Sequence, residues 1–177
     1  MKNEDKIKHL KERGVLEDTP YFIGEGVTVT FPFTNILGHW TGYQKYNIGA
    51  DKIRCNDPRE SRYFTRCPKG NEVFFGYHSL GYSKEIYITE GVFDAISLHG
   101  IGKSALALAS NDPKHIRNTL SFIRRPLIAM CDGDEAGLNL KKFTDHYVQC
   151  PEGKDANDLS KEELLELIKP IDKRLGQ

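Results

Sequence analysis

Apolar and polar positions along this chain fall into two regimes. Residues 3–13 place Ile7 and Leu10 among charged neighbours, which predicts an amphipathic helix stopped by Gly14. "GEGVTVTFPF" then alternates Val27, Val29 and Phe31 with threonines, the period-2 pattern of a half-buried strand. "HWTGYQKYNI" has the same character after a turn at Asn35–Gly38. "RYFTRCPKGNEVFFGYHSL" contains a Pro-Lys-Gly turn and a short strand near Val73–Phe75. This part reads as a small β-rich unit with one helix.

From about residue 84 strands and helices alternate. "EIYIT" is a short buried-type strand, and "EGVFDAISLHG" a helix ending at Gly100. "KSALALAS" is a strand, and "NDPKHIRNTLSFI" a helix with Asp112 as N-cap and Pro113 in its first turn. "PLIAMC" is a strand, "DEAGLNLKKFTDH" a helix and "YVQC" a fourth strand. "SKEELLELIK" opens on a capping box, Ser160 with Glu163. Such alternation predicts an α/β fold, a four-stranded parallel sheet with helices on both faces. The expected division is an α+β subdomain over 1–82 and the parallel-sheet domain over 83–177.

In parallel sheets ligands sit beyond the carboxyl ends of the strands, and acids stand at those ends here. Glu90 follows "EIYIT", and Asp132 and Asp134 follow "PLIAMC" in "MCDGDEAG". If these strands are neighbours, three carboxylates converge, and a cation between them lowers the cost of ionising all three. Hard oxygen ligands suit Mg²⁺ or Mn²⁺. Gly91 and Gly133 leave room for a phosphate or a backbone to approach. Asp94 lies one helical turn after Glu90, and Asp155 with Asp158 follows the fourth strand. Taken alone, a DxD is also a turn or a helix N-cap, and "TEGVFD" a helix start with acids on its dipole.

Composition narrows the classes. The 38% apolar and 10% aromatic content supports a packed core rather than disorder. The N-terminus is charged and lacks a signal core, and no apolar run approaches the ~18–20 residues of a membrane span, so an intracellular protein is expected. Cys55, Cys67, Cys131 and Cys150 form no CxxC pair, so no zinc ribbon or redox motif is expected. The net charge of zero hides a segregation: between Tyr43 and Asn71 seven basic residues face three acidic ones. Such a basic stretch beside acids either holds a polyanion near a metal site or is a solvated loop.

"ITEGVFDAIS" followed by "IAMCDGDEAG" resembles the Toprim domain of primases, topoisomerases, recombination mediators and some nucleases. "LKERGVLEDTPYF", "FPFTNILGHWTGYQ", "RYFTRCPKGNEVFFGYHSL" and "PEGKDANDL" are similar to segments of DnaG-type and bacteriophage primases in particular. The resemblance implies a primase catalytic core, a nucleotidyltransferase that makes short RNA primers on single-stranded DNA from NTPs, in the cytoplasm of a bacterial or phage-infected cell. It implies Glu90, Asp132 and Asp134 as the catalytic metal triad, with Asp94 and Asp155 lining the site and two Mg²⁺ or Mn²⁺ ions. Arg62 and Lys69 match basic positions of the primase motif, Arg59 and Arg66 join them as template contacts, and Lys45 lies one position out of register with another basic site. Asn157 stands where cellular enzymes usually have a second acid. Trp40, Tyr43 and Tyr63 are candidates for stacking on bases.

The sequence contains neither the cysteine set of the family's zinc-binding domain nor a "GxxxxGK[ST]" phosphate loop. The expectation is a minimal or excised core without zinc, working with a replicative helicase or a separate zinc-binding protein. Two other readings use the same acids: a Toprim nuclease with His39, His78 or His99 as general base, and a non-catalytic module that binds nucleic acid or a replication partner.

Overall fold

The computed structural model describes residues 1–51, 56–68, 72–110 and 116–176. Helix α1 (Asn3–Glu12) buries Lys6 and Leu10, one turn apart, and Arg13 caps it. Gly14, at φ +79°, turns the chain in a conformation open to glycine. The Lys6 ammonium donates to the Gly24 carbonyl at 2.5 Å, which explains how a lysine can be buried on this face.

The first sheet is antiparallel, in the order β1 (Phe22–Ile23), β2 (Thr28–Thr34), β3 (Trp40–Asn47), β4 (Tyr63–Arg66). The alternation in β2 buries Val29, Phe31 and Phe33; Val27 lies before the strand and is 39% exposed. β1 and β4 were not expected from the sequence pattern, because two and four residues are too few to show a period. The stretch near Val73–Phe75 makes single bridges instead of a strand. Phe74 pairs with Thr34 of the first sheet, and Phe75 with Ala107 of the second.

The second sheet is parallel, in the order β6 (Ala105–Ala107), β5 (Ile86–Thr89), β7 (Leu127–Cys131), β8 (His146–Gln149). Every residue of β5 and β7 is buried. Ile86, Ile88, Leu127 and Ala129 pack with Leu120 and Leu140 on one side. Tyr87, Ile128 and Met130 face the other side, in one core with Ile96, Leu164 and Ile168. That core also takes in Val29, Phe31 and Phe33 from β2, so the two sheets share it.

Helices α2 (Val92–His99) and α4 (Lys161–Arg174) cover this shared side. The Ser160–Glu163 capping box is present, with both reciprocal hydrogen bonds, and α4 runs on through Pro170. The other side has α3 (Arg117–Phe122) and a 3₁₀ segment, Gly137–Phe143. The expected caps Asp112 and Pro113 lie outside the described residues.

The segment "DEAGLNLKKFTDH", expected as an α-helix, is 3₁₀ over Gly137–Phe143 instead.

Candidate metal and nucleotide site

β5 pairs directly with β7, Ile88 opposite Ala129, so Glu90 and Asp132 leave adjacent strands at the same end of the sheet. They open into a cleft of about 660 Å³ between the two sheets. Asp94 and Asp155 line it from the acidic side, and Arg13, Gln44, Arg62 and Tyr63 from the side of the first sheet.

Tight backbone packing holds the acids in place. The Asp94 carboxylate folds back over Gly91, where a Cβ would meet its Oδ2 at 2.3 Å. Asp94 Oδ1 also accepts the Asn157 amide at 3.2 Å. Gly133 is pressed on the turn after β8: a Cβ there would meet the Pro151 carbonyl at 1.9 Å, and its N–H donates to the Lys154 carbonyl at 2.9 Å. Both glycines therefore admit the protein's own atoms, rather than making room for phosphate. Ala109 lines the cleft at φ 51°, donating its N–H to the Glu90 carbonyl at 2.9 Å. For a residue with a Cβ that conformation costs roughly 1–2 kcal/mol.

Three acids have local backbone partners as well. Asp134 is exposed at the rim, and its Oδ1 accepts the Gly137 N–H at 2.7 Å, capping the 3₁₀ segment. Asp155 and Asp158 cap each other's backbone at 3.0 and 3.1 Å.

Burial and, after it, like charge raise the acids of the cleft. Burial, then the charges of Glu90, Asp155 and Asp134, push Asp132 up to about 6. Burial followed by Asp155 and Asp132 pushes Asp94 up to about 8, against the pull of backbone N–H donors. Burial and Asp134 raise Glu90. Among the described residues no ion pair reaches these five acids. A hard divalent cation fits this all-oxygen set chemically. The carboxylates nevertheless ring the cleft rather than close on a point: no three His, Cys, Asp or Glu side chains among the described residues are gathered tightly enough to hold an ion as they stand.

Arg13 is the functional candidate that the sequence pattern missed. Its guanidinium lies 3.7 Å from the Phe93 ring centroid, donates to Asn157 Oδ1 at 2.6 Å and to the Tyr46 hydroxyl at 3.2 Å. Asn157 thus joins Arg13 to Asp94. In sequence the only mark of Arg13 is its place before the helix-stopping Gly14.

Arg62 reaches the cleft, anchored by its Nε on the Ala50 carbonyl at 2.6 Å. Lys45, Arg66 and Arg59 do not line it. Gln44 faces the cleft, so the next residue on β3, Lys45, points to the opposite face. Arg66, opposite Tyr43, shares that outer face. Arg59 is bound to Asp57 at 2.9 Å, and Lys69 lies outside the described residues. The three expected histidines do not line the cleft: His99 ends α2, whose first turn carries Asp94, with His78 against it at 5.0 Å, and His39 is in the exposed Asn35–His39 turn.

A family described as Toprim-like matches residues 87–160. The Gene 57 protein of Mycobacterium phage D29 is 28% identical over 141 residues, covering 73% of this chain and 92% of that protein. A DNA primase of Myxococcus xanthus is 34% identical over 99 residues, 51% of this chain but 16% of the relative. A solved DnaG catalytic core superposes with a TM-score of 0.67 at 15% identity, over 95% of this chain and 72% of that one. The chain carries a Toprim-containing primase-core fold. In this primase-core fold the Toprim-like match runs from β5 through β8 to Ser160, and so includes every acid of the cleft. No helix among the described residues is long and apolar enough to cross a membrane.

Proposed function

We propose that this protein is a primase-type nucleotidyltransferase that makes short RNA primers on single-stranded DNA. The observation that carries this reading is one cleft with carboxylates on its Toprim wall and arginines on the other. Glu90 and Asp132 would hold a divalent metal, Asp134 would join from the rim, and Asp94 and Asp155 would support them from behind. Bound Mg²⁺ or Mn²⁺ would supply a more acidic primer 3′-hydroxyl and screening of triphosphate charge.

The chain's own residues do the rest. Arg13, fixed flat against Phe93 and held by Asn157, presents its remaining N–H donors to phosphate oxygens. Arg62 adds a second cation on the same wall. Tyr63, stacked on Tyr46 at 5.5 Å, offers an aromatic face beside them. The primase reading also agrees with the likeness to the DNA primase of Myxococcus xanthus and to the solved DnaG catalytic core.

The test is incubation with single-stranded DNA, labelled NTPs and Mg²⁺ or Mn²⁺. Short RNA products are expected, with Asp132→Ala and Glu90→Ala each lowering synthesis about a hundredfold or more while the circular dichroism spectrum is kept. DNA shortening without NTP incorporation would make the protein a nuclease instead.

A further inference from the structure

The first sheet hides one face in the core and, among the described residues, leaves the other uncovered. In β2 Val29, Phe31 and Phe33 point inward, so Thr28, Thr30, Pro32 and Thr34 point outward. The register sets Phe22 and Lys45 opposite Thr30, Tyr43 opposite Pro32, and Trp40 opposite Thr34. Across β3, Phe64 opposes Lys45 and Arg66 opposes Tyr43. Four aromatic rings and two cations therefore share one face. No aspartate or glutamate occupies any position of β1 to β4.

Exposure sharpens the pattern. Phe22 is 53% and Trp40 63% exposed, and their rings stack at 5.7 Å with 16° between planes. Flat rings beside cations that have no ion pair among the described residues match a ligand with flat faces and regular negative charge. A single-stranded polynucleotide has both, whereas an apolar protein patch would leave Lys45 and Arg66 without anions.

We propose that the outer face of β1 to β4 binds single-stranded nucleic acid, with Phe22 and Trp40 stacking on bases and Lys45 and Arg66 meeting phosphates. The choice of ligand rests on the primase reading, while the surface itself is independent of the carboxylates. β4 is the edge between the two sites: Phe64 and Arg66 face outward, and Tyr63 lines the cleft. A strand crossing that edge passes from the platform to the arginine wall. This assigns Lys45 a place that the cleft does not give it.

Trp40 is the one tryptophan of the chain, so its fluorescence reports on this face alone. Titration with an oligo(dT) about sixteen nucleotides long should quench it, and an abasic strand of equal length should quench it far less. Phe22→Ala and Lys45→Ala should each weaken binding roughly five- to tenfold, with the salt dependence reduced only by Lys45→Ala. Circular dichroism checks that both variants fold, and a dye-labelled strand gives the same comparison for Trp40→Ala. Primer synthesis with Trp40 emission unmoved by oligo(dT) overturns the surface and leaves the primase reading standing. Quenching without primer synthesis keeps the surface and removes that reading. Quenching that survives both substitutions overturns the surface, because the signal then arises from binding elsewhere.

Discussion

Strand β5 has a glutamate just before it and another just after it, and their surroundings are opposite. Glu85 is wholly buried and meets the Lys103 ammonium at 3.0 Å, which also holds Asp172 at 2.9 Å. At the other end, Glu90 joins Asp94, Asp132 and Asp155 around an open cleft, with no ion pair to them among the described residues. The nearby Arg13 is directed to Asn157 and two aromatic rings rather than to a carboxylate. One acid cluster has its counter-charge built in and serves the fold. The other lacks it, and its raised carboxyl groups, Glu90, Asp94 and Asp132, record burial first and then the mutual repulsion that an external cation would relieve.

The largest stability effect is expected at the closed end. Lys103→Met strands Glu85 as an uncompensated buried charge and should cost about 3–5 kcal/mol in urea unfolding. Adding Glu85→Gln to that variant should recover much of the loss. Equal stability of wild type and Lys103→Met would mean that the two ends do not differ in kind.

The open end should respond to pH with a fixed sign. Asp132 and Asp94 titrate higher in the folded protein, at about 6 and about 8, than a free carboxyl at roughly 4. The folded state thus holds protons that the unfolded chain has released, and the metal-free protein loses stability as pH rises from about 4 to 8. Its melting temperature should fall over that range, on the order of 5 °C or more. Mg²⁺ should raise it more at pH 8 than at pH 5. Asp94→Asn should flatten the dependence.

Asp134 gives the smallest and most discriminating effect. Asp134→Ala removes the cap on Gly137 and should cost about 1 kcal/mol. Asp134→Ser keeps a capping oxygen but no charge, so stability should return while primer synthesis stays low. Full activity of Asp134→Ser would reduce this residue to a cap.

Much of this was legible in the sequence where the pattern is strong. The buried runs of β5 and β7, the capping box of α4 and the acids at the strand ends follow from periodicity and topology. What escaped depends on distant partners. β1 and β4 are too short for a period, and the Phe74–Phe75 bridges join two sheets that sequence proximity does not connect. Lys45 lies in a basic stretch, but strand alternation turns it away from the cleft. Arg13 becomes a cleft residue only through Phe93 and Asn157, both remote in sequence.

The central claim is that the acids after β5 and β7 form one cation site. Titration of Mn²⁺ followed by electron paramagnetic resonance at pH 8 tests it directly, on wild type, Glu90→Ala, Asp132→Ala and, as a charge-matched control, Glu152→Ala on the exposed turn after β8. The account predicts Mn²⁺ uptake by wild type and the control, and loss of at least tenfold in affinity in each of the other two. Equal uptake by all four proteins would contradict it.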